Sequence, residues 1–459
     1  MTQTTTISKA KNLELPIEKS LTTPHILKIG LCVTWSVSLL LAIATIFGVQ
    51  RQRYAIKTVG QDTAPSIILA QQIKESLAAM DASAVNELLV KSKENPSAIK
   101  DYEESRKAFA GRIIDAARNI TYGDAERKPI ETLQLVLGDY IAKIQQARDL
   151  NARGDSQGVL NAYREAAQLM DNTLLPATDA LDQINSKELD LTYDRQKVTT
   201  ASALFLIVIS GLLLLGVLVA TQLFLHYRMR RVFNPMLMAA TGITVIFVGY
   251  TTESFISSSD NLKIAKEDSF LSLHALGQAS ALAYSLKADE SRYLLDPVFA
   301  RKHDQAFLDK AAKIAKIPQS QTFETVAAAS APGKNVDGFT GLLADELNNI
   351  TFPGEREAAT ATLVTFGRYF LVNKQIRELE QSGKHQEAIA LCTNQSNSAF
   401  LEFNTAHQKT YDINREAFNK AVEGGFNNVN GFEATTPVVA VVVSVLTLLG
   451  LLPRIKEYE

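Results

Sequence analysis

Net charge is nearly absent from this chain of 459 residues, in which 47 Lys and Arg meet 49 Asp and Glu for a balance of −2. So even a balance excludes general attraction to nucleic acid, and no basic stripe with interleaved aromatics is present. Cysteine is scarce. Cys32 lies in an apolar run and Cys392 far downstream, without metal-ligand spacing around either, so neither a disulfide nor a thiolate metal site is expected. The histidines His25, His226, His274, His303, His385 and His407 form no i,i+4 pair of the metalloprotease kind. Pro332-Gly333-Lys334 lacks the upstream glycine and the following Ser or Thr of a phosphate-binding loop, and reads as a turn. No Ser-His-Asp or Cys-His set assembles without free choice of partners. Alternating strand patterns of any length are missing too. No catalytic residue, metal or cofactor is assigned, and the chain is not expected to be an enzyme.

What the chain does contain is apolar blocks. The first covers about 29–49, the second 201–225, the third 235–252 and the fourth 434–453, and none carries a buried Asp, Glu, Lys or Arg of the sort a proton relay or coupled transporter needs. Each approaches the ~20 apolar residues that cross a bilayer as a helix. The loop at 226–234 holds Arg228, Arg230 and Arg231 without an acid, which places it in the cytoplasm. The N-terminal segment 1–28 and the tail 454–459, with Arg454 and Lys456, follow it there. Segments 50–200 and 253–433 are then extracytoplasmic. The first block lacks a small-residue cleavage signal and reads as a retained anchor of a bacterial plasma (inner) membrane protein, multi-pass with both termini cytoplasmic. The cytoplasmic parts are too short for a catalytic core, which needs at least ~40 residues.

The chain is also written twice. A shift of 206 lays Lys57, Asp62, Ser66 and Gln72 on Lys263, Asp268, Ser272 and Gln278. A shift of 230 lays Asn119-Ile120-Thr121-Tyr122 on Asn349-Ile350-Thr351-Phe352. One of 229 pairs Glu126, Gly138, Tyr140, Arg148 and Gly154 with Glu355, Gly367, Tyr369, Arg377 and Gly383. Nearly constant offsets in one order signal a tandem duplication. Apolar positions such as Leu133, Val136, Leu137, Tyr140, Ile141 and Ile144 recur at helical spacing. Helices are predicted near 51–93, 97–120, 125–152 and 156–200, and again near 254–295, 336–350, 354–382 and 384–430, with short helical pieces over 297–335. The fold class is an all-α membrane protein with four transmembrane helices and two tandem-duplicated extracytoplasmic four-helix bundles. Asn119-Ile120-Thr121 and Asn349-Ile350-Thr351 fit a glycosylation acceptor, but their recurrence points to a turn whose Thr hydroxyl caps the next helix.

Candidate partner or ligand contacts fall in the second copy: His274, Arg292, Tyr293 and Asp296, with Arg377 matched by Arg148 in the first. Guanidinium forks and aromatic rings are efficient contact groups, while ion pairing within the bundle is the competing role. Arg228, Arg230 and Arg231 form a candidate cytoplasmic relay loop. The stretches Ser272-Leu273-His274-Ala275-Leu276 and Ala288-Asp289-Glu290-Ser291-Arg292-Tyr293-Leu294-Leu295-Asp296-Pro297, with Asn348-Asn349-Ile350-Thr351-Phe352 and the four spans, resemble the GlnX-type membrane proteins. The outer segments are also similar in architecture to the four-helix sensor domains of chemoreceptors. The GlnX resemblance implies a receptor that reads a periplasmic amino-acid-binding protein outside and signals to Ser/Thr protein kinase G inside. Besides the lipid bilayer, the partners implied are thus a periplasmic solute-binding protein and a cytoplasmic Ser/Thr kinase. Homo-oligomerisation stays open, as do two other readings: a scaffold of an envelope complex and an accessory subunit of a transporter.

Overall fold

The structure is a computed structural model and describes residues 22–229, 234–331 and 333–457. Among the described residues fifteen α-helices follow in order: α1 Thr23–Lys57, α2 Ala64–Leu88, α3 Pro96–Arg118, α4 Asp124–Arg153, α5 Ser156–Leu169, α6 Leu175–Met229, α7 Pro235–Lys263, α8 Leu271–Leu295, α9 Ala300–Ile314, α10 Phe323–Ser330, α11 Leu342–Asn348, α12 Glu355–Gln381, α13 His385–Leu391, α14 Asn397–Asn428 and α15 Phe432–Lys456. Among the described residues there is no strand, only an isolated antiparallel bridge between Lys316 and Thr340. π-helical turns at Thr58–Thr63, Met170–Leu174, Ile264–Phe270 and Cys392–Ser396 interrupt the long helices without ending them. Such wide turns are rare, and no residue pattern foretold them.

The helices divide into two compact units. One comprises residues up to 48, 202–253 and 431 onward. Four helices of the chain, among them all those of this unit, are long and apolar enough to cross a membrane, and only 28–33% of their most apolar stretches is buried within the protein. Leu39, Ile43, Phe205, Ile246 and Val441 face outward, an arrangement that requires lipid rather than water. The protein is therefore a multi-pass membrane protein. Inside this unit small residues let backbones approach: a Cβ on Gly211 would fall 2.6 Å from a Val248 methyl. Polar side chains satisfy carbonyls across helices. Trp35 Nε1 donates to Ser444 O at 3.1 Å, Asn234 Nδ2 to Gly450 O at 2.8 Å, and Gln222 Nε2 to Thr241 Oγ1 at 2.8 Å.

The other unit holds residues 49–201 and 254–430 together, so the two long segments pack into one compact unit. The reason lies in α2 and α8, which are buried on nearly all sides. A helix wet on one face lies at the surface, whereas one covered all round belongs at the centre. Both central helices are rich in small residues, with Ala78, Ala79, Ala82 and Ala84 on one and Ala279, Ala281 and Ala283 on the other, and they pack on each other. The core of the first segment, built on Ile73, Leu77, Phe109, Leu133, Tyr140 and Ile144, takes in Ala288 from α8. In the second segment Phe323, Phe366, Phe400, Phe403 and Tyr369 form an aromatic cluster. α10, from the stretch present only in this segment, enters that cluster at Gly367, where an added Cβ would lie 2.4 Å from Phe323 Cβ.

The same turn closes in both segments. Asn119 Nδ2 donates to Ser66 Oγ at 2.7 Å and Asp62 O at 3.2 Å, and Asn349 Nδ2 to Ser272 Oγ at 3.0 Å and Asp268 O at 2.9 Å. Glu126 accepts the backbone N–H groups of Thr121 and Tyr122 at 2.6 Å each, and Glu355 those of Thr351 and Phe352 at 2.8 and 2.9 Å. This corrects the expected Thr cap. The Thr121 and Thr351 hydroxyls turn back to the carbonyls of Asn119 and Asn349, the N-cap positions Gly123 and Gly354 have no side-chain cap, and the glutamate of the following helix instead ties down the turn, because its longer side chain reaches two of the turn's N–H groups at once.

Candidate functional site

Where α2 and α8 meet, residues related by the 206 shift touch each other. Gly277 is the counterpart of Gln71, and a Cβ built on it would sit 3.0 Å from Gln71 Cβ, so the missing side chain sets the closeness of the crossing. Gln52 Nε2 donates to Ser258 Oγ, again 206 residues away, at 3.2 Å. Self-matching contacts of this kind mark a local twofold relation between the segments. Along this seam lie an ionic layer and a cavity.

The ionic layer centres on Arg292 of α8, which is 4% exposed. Its Nη2 donates to Asp81 Oδ2 at 2.6 Å, its Nη1 to Asp171 Oδ2 at 2.9 Å and Asp289 Oδ1 at 3.3 Å, and its Nε to Tyr163 Oη at 2.9 Å. Tyr140 and Tyr163 donate to Asp81 Oδ1 at 3.2 and 3.3 Å. Burial pushes the Asp81 carboxyl up and the guanidinium opposes it. Burial likewise holds Tyr140 and Tyr163 well above the usual phenol range. One turn on, Asp296 receives a two-pronged bond from Arg164 Nε and Nη2, both at 2.7 Å. A second buried group surrounds Glu290, which accepts from Lys287 Nζ and Ser396 Oγ at 2.6 Å and from Asn373 Nδ2 at 2.8 Å.

The cavity, of about 140 Å³, lies between α2, α3, α8 and α14. Gln71 and Glu75 line it from α2, Arg112 from α3, and His407, Tyr411 and Arg415 from α14. Gln71 is 3% exposed and its Oε1 has no hydrogen-bond partner. Arg112 Nη1 is held by the Gln72 carbonyl at 2.6 Å and by the Ser76 hydroxyl. His407 Nε2 lies 2.9 Å from Leu276 O, so this nitrogen carries the proton and Nδ1 is left an acceptor. Burial pushes the imidazole down to about 4, which keeps it neutral. Burial raises Glu75, opposed by Arg112 and the Ser280 hydroxyl. A larger open hollow of about 690 Å³ runs along α12, with Arg356, Glu357 and Arg368 in its wall.

The residues singled out in the sequence fall into two sets. His274, Arg292 and Asp296 reach across the seam: His274 Nε2 meets Asp182 Oδ1 at 2.9 Å, and the other two hold Asp81, Asp171 and Arg164. Arg292 and Asp296 are buried and saturated, so neither presents a free group to an outside partner. Tyr293 and Arg377 lie together within the second segment, where Arg377 pairs with Asp304 and stacks 4.4 Å from the Phe307 ring and 6.0 Å from that of Tyr293. Arg148 behaves alike in the first, its Nε and Nη2 both donating to Glu87 Oε2 at 2.9 and 2.7 Å and its guanidinium 4.3 Å over Tyr102. Arg228 is exposed at the end of α6, while Arg230 and Arg231 lie outside the described residues. Gln71, Glu75, Arg112 and His407 escaped the sequence reading. The repeat of Gln72 in Gln278 was the only signal near them. Among the described residues no group of three His, Cys, Asp or Glu side chains is placed to hold a metal.

Residues 55–194 match the family model described as the Actinobacterial sensor domain. The match covers the first of the two long segments between apolar helices, well under half of the chain, and supports a sensing role for a bacterial protein. No curated protein and no solved structure matches the chain.

Proposed function

We propose that this protein is a non-enzymatic receptor subunit of a bacterial plasma membrane, with segments 50–200 and 253–433 outside and both termini in the cytoplasm. The observation that carries the reading is the sensor-domain match over 55–194, a segment flanked by two apolar helices. The recurrence of the Asn119 turn at Asn349 supports an origin by tandem duplication, in which one chain supplies both halves of a sensor. A stimulus acts by binding one arrangement of α2 and α8 better than another, since a ligand shifts an equilibrium only through such a difference. The resemblance of the Ser272–Asp296 stretch to GlnX-type proteins suggests a periplasmic solute-binding protein as the outer partner and a cytoplasmic Ser/Thr kinase as the receiver. The saturated Arg292 layer also suits a rigid scaffold that spaces an envelope complex. Crosslinking of the tagged protein in native membranes, with and without amino acids, followed by mass spectrometry separates the two. Ligand-dependent recovery of a kinase supports the receptor. Recovery of neither a solute-binding protein nor a kinase, under either condition, refutes it.

A further inference from the structure

We infer that the cavity between α2, α3, α8 and α14 is a binding site for a small zwitterion carrying a carboxylate and an ammonium group. Its volume, about 140 Å³, is several times the roughly 30 Å³ share of one water molecule, so it admits a ligand of several heavy atoms. The charges facing it nearly cancel. Arg112 is opposed by Glu75, and Arg415 at the mouth is paired with Asp412 at 2.9 Å. A net anion or a net cation would leave one charge uncompensated in a partly desolvated place, whereas a zwitterion answers both.

Hydrogen-bonding capacity points the same way. Glu75 and Arg112 influence each other electrostatically yet make no ion pair within 4.0 Å, so a gap separates two opposite charges across one cavity. On the acceptor side stand Glu75, the unpartnered Oε1 of Gln71 and the Nδ1 of His407. A buried amide oxygen without a donor is costly, and an ammonium supplies up to three. On the donor side Arg112 keeps the N–H groups beyond its Nη1, and a guanidinium fork suits a carboxylate. Because the walls come from both outer segments, occupancy ties them together.

This deepens the receptor reading and rests on it for its consequence, but binding is measured separately. The full-length protein in lipid nanodiscs is titrated calorimetrically with glycine, L-serine and L-glutamine, and with acetate and ethylamine as carriers of one charge only. At least one zwitterion should bind and raise the unfolding midpoint, while the single-charge probes do neither. Arg112→Met and Glu75→Gln should each weaken binding at least tenfold. Arg415→Gln, at the exposed rim and safe for folding, should weaken it less. The site is refuted if no zwitterion binds folded wild-type protein, if acetate or ethylamine binds equally well, or if folded Arg112→Met and Glu75→Gln bind as wild type does. Zwitterion binding with unchanged kinase recovery keeps the site and removes the receptor reading. Ligand-dependent kinase recovery without zwitterion binding does the reverse.

Discussion

Replacing Arg292 by leucine tests whether the ionic layer is a clamp between the two segments that α2 and α8 join. Of the three carboxylates it touches, Asp171 has a 44% exposed side chain and regains water, and Asp289 keeps Lys310. Asp81 is 2% exposed and keeps only the Tyr140 and Tyr163 hydroxyls, so the cost concentrates there. Breaking a buried pair by removing one partner costs about 3–5 kcal/mol. Without the guanidinium the folded pKa of the carboxyl rises further, so it can escape by taking up a proton. A carboxyl raised in the folded state contributes stability below its unfolded pKa and loses it as pH rises, so the deficit should be largest at pH 7 and shrink toward pH 4. Asp81→Asn added to Arg292→Leu should recover more than half of the loss. Urea unfolding of the reconstituted wild type, single and double variants, followed by circular dichroism, measures this. An R292L deficit under ~1 kcal/mol at pH 7, or one indifferent to both pH and D81N, would refute the reasoning.

Three further outcomes follow from other sites. Burial, with Glu355 beside it, pushes Glu346 up to about 8, so its contribution is present below ~4.5 and lost as pH rises through 8. Glu346→Gln should therefore be more stable than wild type at pH 7, by more than ~1 kcal/mol, and the gain should vanish near pH 4. Gly138→Ala, with nothing near its Cβ, should stabilise by ~0.5–1 kcal/mol, while Gly367→Ala should cost ~1–3 kcal/mol against Phe323; equal effects in paired melts would contradict the packing. Burial pushes the Cys392 thiol up to about 12, so maleimide should leave it unmodified at pH 7.5 and label it in urea, and rapid native labelling would show an open site.

Much of this was legible in the sequence because it rests on periodicity. Runs such as Leu212-Leu213-Leu214-Leu215 mark a span by composition alone, and Gly154 and Gly383 end α4 and precede α13 at positive φ as punctuation implies. The recurrence of Asn119 and Glu126 in Asn349 and Glu355 was equally visible, though the expected Thr cap does not form. Seam partners were not legible. Arg292 and Asp81 are 211 residues apart, and an unusually polar stretch says that something must meet it, not that the something lies in the same chain. The cavity escaped for the same reason, since its walls come from α2, α3, α8 and α14. The π-turns left no trace, because a helix absorbs an extra residue without changing its composition.

Having both walls of the α2–α8 seam on one polypeptide has a consequence for stoichiometry and inheritance. A sensor made of two identical chains repeats every mutation on both sides of its axis and carries its pockets in pairs. Here Gln71 can face Gly277, and Lys287 can stand where the other copy has Asp81. Each side is free to change alone, so a mutation on one wall of the seam is not repeated on the other.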